Sequence, residues 1–244
     1  MSAIAGLDTA TADAAVAVVR DGELLAESRV GPPHSGRPRH AETLLAELEQ
    51  VVAASGGWDA VGTIAVGIGP GSYTGLRIGI ATARALGQAL EKPLAPVSTL
   101  AALADGIAAR GGVGRRPLLP VIDARRAQVF ASLVSPHGAL IWEPLVATPE
   151  ELSGRLRAAL ESGLAEGEAP LAAGDGALRF RRELEAAGVS VLPDADPAHR
   201  LSARSTCLLG ASVAPARPEE VRPVYLRPPD AERWLERDRR RAGI

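Results

Sequence analysis

Residues 2–30, SAIAGLDTATADAAVAVVRDGELLAESRV, decide the fold. Residues 2–7 read as a buried strand that ends at Asp8-Thr9. Residues 14–19 and 23–30 follow as two more strands, joined at Asp21-Gly22, a dipeptide that favours a tight hairpin. A loop rich in Pro, Gly and His runs from 31 to 39. From His40 to Ala54 the apolar residues Leu44, Leu45, Leu48, Val51 and Val52 recur at three- and four-residue spacing, which predicts an amphipathic helix. Residues 60–66 form a short apolar strand, and residues 67–71 a Gly/Pro turn. A second helix covers 74–90 and stops before Pro93. The order is three strands, a helix, a strand and a helix.

The second half repeats that order without recognisable identity. Residues 118–122 read as a strand ending at Asp123, and 128–134 with 139–146 as a hairpin around His137-Gly138. Thr148, Pro149 and Glu151 make a capping box with Pro at the first helical position, opening a helix to 162. Residues 170–173 form a strand, Gly174-Asp175-Gly176 a turn, and 177–187 a helix. An Asp ends the first strand of each half, and a Gly turn follows the fourth. A mixed sheet built twice around a βββαβα unit is the two-lobed, ribonuclease H-like, actin-type α/β plan. The expected lobes are 1–100 and 101–220, with a returning edge segment at 221–227 and an arginine-rich tail to 244. The run 98–116, helical and then Gly-rich, is expected to join the lobes.

Composition narrows the function. The 244 residues are 46% hydrophobic and 23% charged, which excludes a disordered chain. With 27 basic and 29 acidic residues the net charge is -2, so no overall excess attracts nucleic acid or anionic membrane. Lys92 is the sole lysine, a bias that reads as codon usage rather than chemistry. A lone cysteine, Cys207, excludes an internal disulfide, a Cys-based zinc site and an iron–sulfur cluster; its apolar setting reads as a buried small hydrophobe. Asp8 and the absence of a basic start predict no signal peptide, and the uncharged stretch 60–76 is broken by Gly67, Gly69, Pro70 and Gly71, so no membrane span is expected. The expectation is a soluble, cytoplasmic protein.

Three features could carry chemistry. Gly67-Ile-Gly-Pro-Gly-Ser-Tyr-Thr-Gly75 is a glycine loop between strand and helix, where free amides and the helix dipole favour an anion. It lacks the Gly-Lys-Ser/Thr ending of a P-loop, and Thr74 stands where a dinucleotide fingerprint needs its third glycine. The alternative is a sharp turn capped by Ser72 or Thr74. Asp8 and Asp123, at strand ends, could hold a metal–nucleotide complex across a cleft, with Thr9, Gly69, Gly71 and Ser72 completing a nucleotide or anion site, or each acid could cap a turn. The four histidines, His34, His40, His137 and His199, lack the spacing that puts two ligands on one helical face, so no metal site is expected. No Gly-x-Ser-x-Gly elbow is present.

The helices carry another signal. Residues 74–90 are apolar or small around most of the circumference, with charge only at Arg77 and Arg84. Gly75, Gly79, Ala83 and Gly87 form a four-residue stripe suited to close helix approach. The stripe serves either a subunit interface or tight packing on the 40–54 helix. In the tail, Arg233, Arg237, Arg239, Arg240 and Arg241 could touch RNA phosphate, or, with Glu232, Glu236 and Asp238 interleaved, form a solvated helix.

The chain strongly resembles the TsaB (YeaZ) family. The matching blocks are Ile4-Ala-Gly-Leu-Asp-Thr9, His40-Ala-Glu-Thr-Leu-Leu45, Gly67-Ile-Gly-Pro-Gly-Ser-Tyr-Thr-Gly-Leu-Arg-Ile-Gly79, Pro96-Val-Ser-Thr-Leu100, Val121-Ile-Asp-Ala-Arg-Arg126, Gly174-Asp-Gly-Ala177 and Pro223-Val-Tyr-Leu-Arg227. They run in order over nearly the whole chain; one departure is the 34–39 segment, where Pro38 and Arg39 precede His40. The resemblance implies the actin-like (ASKHA) fold and the role of a dimerisation subunit in making tRNA threonylcarbamoyladenosine. There the catalytic paralogue TsaD moves a threonylcarbamoyl group onto the adenosine 3′ of the anticodon, in tRNAs reading codons that begin with A. The TsaD metal is held partly by a His-x-x-x-His pair, which is absent here, so the resemblance implies no catalytic residues in this chain. It implies pairing with TsaD through the two helices, mapped onto His40, Leu44, Leu48, Thr74, Leu76, Arg77, Ile80, Ala83 and Arg84. It also implies an ATPase, TsaE, joining the complex, contact with tRNA only through the complex, and a homodimer through the same surface when alone. No cofactor is implied for this subunit itself, with ATP or ADP having a place only at the partner interface.

Two further readings stand beside that one. The chain could be a metal- or nucleotide-dependent transferase, ATPase or glycoprotease-like enzyme of the same fold, resting on Asp8, Asp123 and the glycine loop. Or its arginine tail could bind tRNA directly.

Overall fold

The computed structural model describes residues 2–33, 36, 38–163 and 168–227. His34 and the arginine-rich tail from Arg233 to Arg241 lie outside the described residues. Strands β1 (Ala3–Asp8), β2 (Ala14–Arg20) and β3 (Glu23–Val30) precede helix α1 (His40–Ala54). Strand β4 (Val61–Gly67), helix α2 (Tyr73–Ala89), strand β5 (Leu94–Val97) and helix α3 (Thr99–Ala108) complete the first unit. The second comprises β6 (Leu118–Arg125), β7 (Gln128–Val134), β8 (Leu140–Ala147), α4 (Pro149–Glu161), β9 (Leu171–Ala173), α5 (Asp175–Arg179), α6 (Arg181–Ala186) and β10 (Ser190–Val191). A last helix, α7 (Ala203–Gly210), follows.

The two sheets have the same plan. The first is ordered β3-β2-β1-β4-β5 and the second β8-β7-β6-β9-β10. In each, the second strand is antiparallel to the first and the fourth is parallel to it. This is the duplicated ribonuclease H-like, actin-type architecture expected above. The repeating unit is longer than βββαβα, because each sheet gains a fifth strand. Pro96 inside four-residue β5 and the two-residue length of β10 give no strand signal of their own. The helix expected at 177–187 is divided at Phe180, which caps α5 and starts α6.

Five layers result. Helices α1 and α2 cover the outer face of the first sheet, where Leu44, Leu48, Val51 and Val52 meet Ala5, Leu7, Val16, Val18 and Ile64. Burying each such side chain contributes roughly 1.5–3 kcal/mol. Helices α3 and α7 lie between the sheets. Helix α3 is apolar nearly all round, burying Leu100, Leu103, Ala104 and Ile107, as a helix sandwiched on both sides must. Helices α4 to α6 cover the outer face of the second sheet. The 98–116 run is thus a structural layer as well as a connection. Helix α7, inside the 101–220 stretch expected to form the second lobe, packs on β1 and β2 of the first.

The returning segment differs from a strand at 221–227. The edge pairing falls earlier, where Ala216 and Leu94 exchange both backbone hydrogen bonds. Val224 N–H donates to the Ile68 carbonyl at 2.8 Å, and Arg227 Nη1 reaches Gln128 Oε1 at 3.1 Å. The segment therefore straps the first lobe's glycine loop to the second lobe's hairpin.

Helix α7 sits close because the strand beneath it lacks a side chain. A Cβ on Gly6 would fall 2.4 Å from Cys207 Sγ and 2.9 Å from the Ala203 carbonyl. Cys207 is fully buried and its thiol is pushed up to about 12 by that burial, so it is the small hydrophobe expected. Gly6→Ala should lower the unfolding free energy by about 1–3 kcal/mol through overpacking. Urea denaturation measures this, and a smaller loss is expected in a Cys207→Ala background. A neutral Gly6→Ala in both backgrounds would place α7 elsewhere.

Candidate functional site

The strand ends of β1 and β4 bring together Asp8, Thr9, Gly69, Gly71 and Ser72, as the sequence implied. Their contacts are with one another. Asp8 is 1% exposed; its Oδ1 accepts from Ala10 N–H at 2.8 Å and its Oδ2 from Thr99 Oγ1 at 2.9 Å. Thr99 Oγ1 in turn accepts from Gly69 N–H at 3.2 Å. A Cβ on Gly67 would lie 2.0 Å from Asp8 Oδ2, so backbone walls the carboxylate on that side. Ser72 N–H donates to the Ala10 carbonyl at 2.7 Å, and Ser72 Oγ caps α2 by accepting from Gly75 N–H at 3.3 Å. Thr9 Oγ1 donates to the Gly75 carbonyl at 2.7 Å. Cβ atoms on Gly71, Gly75 and Gly79 would strike Ala10 or Thr9 at 2.0–2.4 Å.

The glycines therefore let α2 press its first two turns onto the β1–β2 turn. This corrects two expectations. The Gly75, Gly79, Ala83, Gly87 stripe faces this chain's own β1 end and β5 edge, not another helix. Asp8 also cannot serve as an open metal–nucleotide ligand: both oxygens are engaged and its position lies outside the cleft. Among the described residues no three His, Cys, Asp or Glu side chains gather as a metal ion requires.

Asp123 takes the matching place in the second lobe. Its Oδ1 accepts from Arg125 N–H at 2.8 Å, the same two-residue turn that Asp8 makes with Ala10. Its Oδ2 meets Arg179 Nη1 at 2.8 Å, and its N–H donates to Asp175 Oδ1 at 2.9 Å. Burial pushes the Asp175 carboxyl up. Asp8 and Asp123 do not pair across the molecule; each caps its own turn. Arg125, Arg126 and Ala127 follow in the left-handed region, φ 62°, 54° and 54°, strained for side chains of this kind.

Between the lobes lies a cleft of about 540 Å³, lined by Ser72, Tyr73 and Arg77 of the first lobe and Asp123, Arg125 and Asp175 of the second. The 223–227 strap closes one side. Tyr225 stacks on Tyr73 with ring centroids 4.9 Å apart, and Arg77 Nη1 donates to Tyr73 Oη at 2.9 Å. Sequence reasoning missed Tyr225, whose only signal was its place in the Pro223–Arg227 block.

The helical pair fares differently from its expected role. Leu44, Leu48, Leu76, Ile80 and Ala83 are at most 4% exposed; Leu44, Leu48, Ile80 and Ala83 belong to the first lobe's own interior, and Leu76 to the cluster that joins it to Ile122 and Phe130 of the second. His40 is buried too, its Nε2 3.0 Å from the Thr11 carbonyl, and burial lowers its pKa. These six cannot present a surface to a partner. Thr74 and Arg77 are exposed and Arg84 half-buried. The outward face also carries Leu45, which the periodicity had counted with the apolar set, and Tyr73, Ala81 and Ala85, which it did not single out. His199 is a structural lock: its Nδ1 lies 3.2 Å from Gly174 N, and its Nε2 3.1 Å from the Leu192 and Pro193 carbonyls.

Fold and site together define a two-lobed actin-type protein whose strand-end acids are occupied in holding turns. A family model described as tRNA N6-adenosine threonylcarbamoyltransferase, TsaD, matches residues 30–148. The chain is 35% identical over 128 residues to the tRNA threonylcarbamoyladenosine biosynthesis protein TsaB of Escherichia coli, 52% of each chain. It is 31% identical over 141 residues to that of Bacillus subtilis, 57% of each. The matched stretch thus spans about half the length of these relatives. The structure of YeaZ from Pseudomonas aeruginosa superposes with a TM-score of 0.72 at 26% identity, covering 93% of this chain and 100% of that one. The chain is thus similar to the TsaB/YeaZ proteins over about half its length in sequence and shares the YeaZ fold over nearly all of it. No helix among the described residues is long and apolar enough to cross a membrane.

Burial raises the Asp8 pKa from 3.8 to about 6, outweighing the donors at Ala10 and Thr99. The folded protein thus binds a proton that the unfolded chain releases, so this group's contribution is fully present below about pH 4 and is lost as pH rises to about 6. Asp8→Asn removes the titration. Relative to that variant, the wild type should lose about 3 kcal/mol between pH 4 and 7, read by urea unfolding at each pH. A pH-independent difference between the two would contradict the buried carboxylate.

Proposed function

We propose that this chain is a non-catalytic, organising subunit for the threonylcarbamoylation of tRNA. Its partner is TsaD, which transfers the threonylcarbamoyl group onto the adenosine 3′ of the anticodon in tRNAs reading codons that begin with A. TsaE joins that complex, and tRNA is reached only through it. Alone, the chain pairs with itself through the same surface. It needs no cofactor of its own; ATP or ADP has a place only at the partner interface, and the work is done in the cytoplasm, where the tRNA is.

The observation that carries this reading is the outward face of the α1–α2 layer. Inner positions of both helices are consumed by the core. Outside, α2 shows Ala81, Ala85 and Ala89 with Thr74, and charge only at Arg77 and Arg84. Beside it Leu45 of α1 is 51% exposed. Small side chains and scarce charge on α2, beside the exposed Leu45 set among the glutamates of α1, suit a helix-on-helix interface more than a solvated face. The similarity to the TsaB relatives supports the pathway. The strand-end geometry supports the non-catalytic part, because Asp8 is buried beneath the glycine loop and Asp123 is ion-paired with Arg125 and Arg179.

The test is light scattering behind size exclusion on the chain alone and mixed with its host's TsaD. A homodimer that gives way to a mixed complex is expected. A Leu45→Glu, Ala81→Asp variant should weaken both pairings about a hundredfold, the loss of roughly 3 kcal/mol at an interface centre, with an unchanged monomer melting temperature. A folded variant that pairs normally removes the interface from this face. A monomer indifferent to TsaD, with micromolar binding of ATP and Mg²⁺ in calorimetry, would favour an enzyme instead.

A further inference from the structure

A second cavity, of about 640 Å³, lies in the middle layer, away from both the inter-lobe cleft and the α1–α2 face. Its walls are the Ala101, Ala104, Asp105, Ala108 side of α3, Leu118 of β6, Ser132 and Val134 of β7, and Leu209 of α7. The β7–β8 turn and Glu143 form its rim. The volume falls in the range of small-molecule sites, and the lining is mostly apolar.

One atom in it is out of place. Asp105 Oδ2 is buried and has no hydrogen-bond donor among the described residues. It is the only such buried side-chain oxygen or nitrogen among them. A carboxylate oxygen held this way destabilises the fold unless something else satisfies it. The opposite wall offers no cation: the other ionisable groups lining the cavity are His137 and Glu143, both exposed at the mouth. An apolar chamber with an unmet acceptor inside and a second carboxylate at its entrance is complementary to a positive charge carried on an apolar body.

We propose that this cavity binds a small organic cation, an ammonium or amidinium group on an apolar frame, with the cationic N–H donating to Asp105 Oδ2. The apolar part lies along Ala104, Leu118 and Val134. The site is independent of partner binding as proposed above, and failure of one reading leaves the other standing.

The probes are phenethylamine and its neutral isostere 2-phenylethanol, titrated into the full-length protein and followed by amide chemical shifts. Phenethylamine should shift amides across 101–108 and 132–134 and saturate, with 2-phenylethanol at least about tenfold weaker, the difference a charge-assisted hydrogen bond makes. Asp105→Asn should erase that preference while leaving the weak apolar affinity. Equal affinity of the two probes for the wild type overturns the proposal, as does the absence of shifts at those residues at millimolar phenethylamine. An Asp105→Asn protein that keeps the preference also overturns it. Were that variant to misfold, the two-probe comparison on the wild type decides alone.

Discussion

The first lobe depends on one contact: the backbone of α2's opening turns lies directly on the Thr9–Ala10 turn. Thr9 Oγ1 donates to the Gly75 carbonyl, Ser72 N–H donates to the Ala10 carbonyl, and no side chain of any size fits between. That contact fixes the pitch of α2 against the sheet and stations Ser72 to cap it. It also leaves Asp8 beneath the loop, bonded to Ala10 and Thr99 and walled by Gly67. A loop that looks built to cradle phosphate is built to bring two pieces of backbone together. The functional consequence is that α2's small residues are spent inward at Gly75, Gly79 and Ala83, and a different row faces out.

This explains what was legible in the sequence. Strands β1 to β4, both helices of the outer layer, the β7–β8 hairpin and the Thr148 capping box carry strong local signals, and each stands within a residue or two of its expected place. The fifth strands do not, because a four-residue strand containing Pro96 and a two-residue strand are defined by their neighbours, not by their own alternation. The candidate interface was misassigned for a related reason. Helical periodicity at Leu44, Leu48, Leu76 and Ile80 identifies a face that must be buried, but the sequence does not say whether the burying surface is the chain's own sheet or a partner. Alanines at 81 and 85 have too little hydrophobicity to stand out, yet they shape the outer surface.

The two strand-end acids show how a duplicated fold distributes chemistry. Asp8 and Asp123 each accept from the backbone N–H two residues on, so the same local turn terminates the first strand of both sheets. They differ in the second oxygen. In the first lobe it is met by the Thr99 hydroxyl inside the protein; in the second it faces Arg179 at the cleft. A neutral donor in a dry setting leaves burial dominant and the Asp8 pKa raised, whereas Asp123 is ion-paired with two guanidinium groups, Arg125 and Arg179. The sequence identified both positions and both readings of them. Only packing could decide, because the deciding partners lie 91 and 56 residues away.

The middle layer is asymmetric, and that asymmetry accounts for where open space remains. Helix α7 rests on the first sheet through Gly6, Cys207, Gly210 and Ala65, groups so small that helix and strand touch along their backbones. Helix α3 instead meets the second sheet through Ile107, Leu118 and Val134 at one end, while Ala101, Ala104 and Ala108 leave its other side short of bulk. Close packing of the layer depends on side chains reaching across it, since interiors tolerate few voids. On the α3 side they do not reach. The result is a chamber walled by the alanines of α3, Leu118, Val134 and Leu209, with the unpartnered Asp105 Oδ2 inside it. A buried acceptor left unmet destabilises the fold, and the cation proposed for the chamber is a group that would satisfy it.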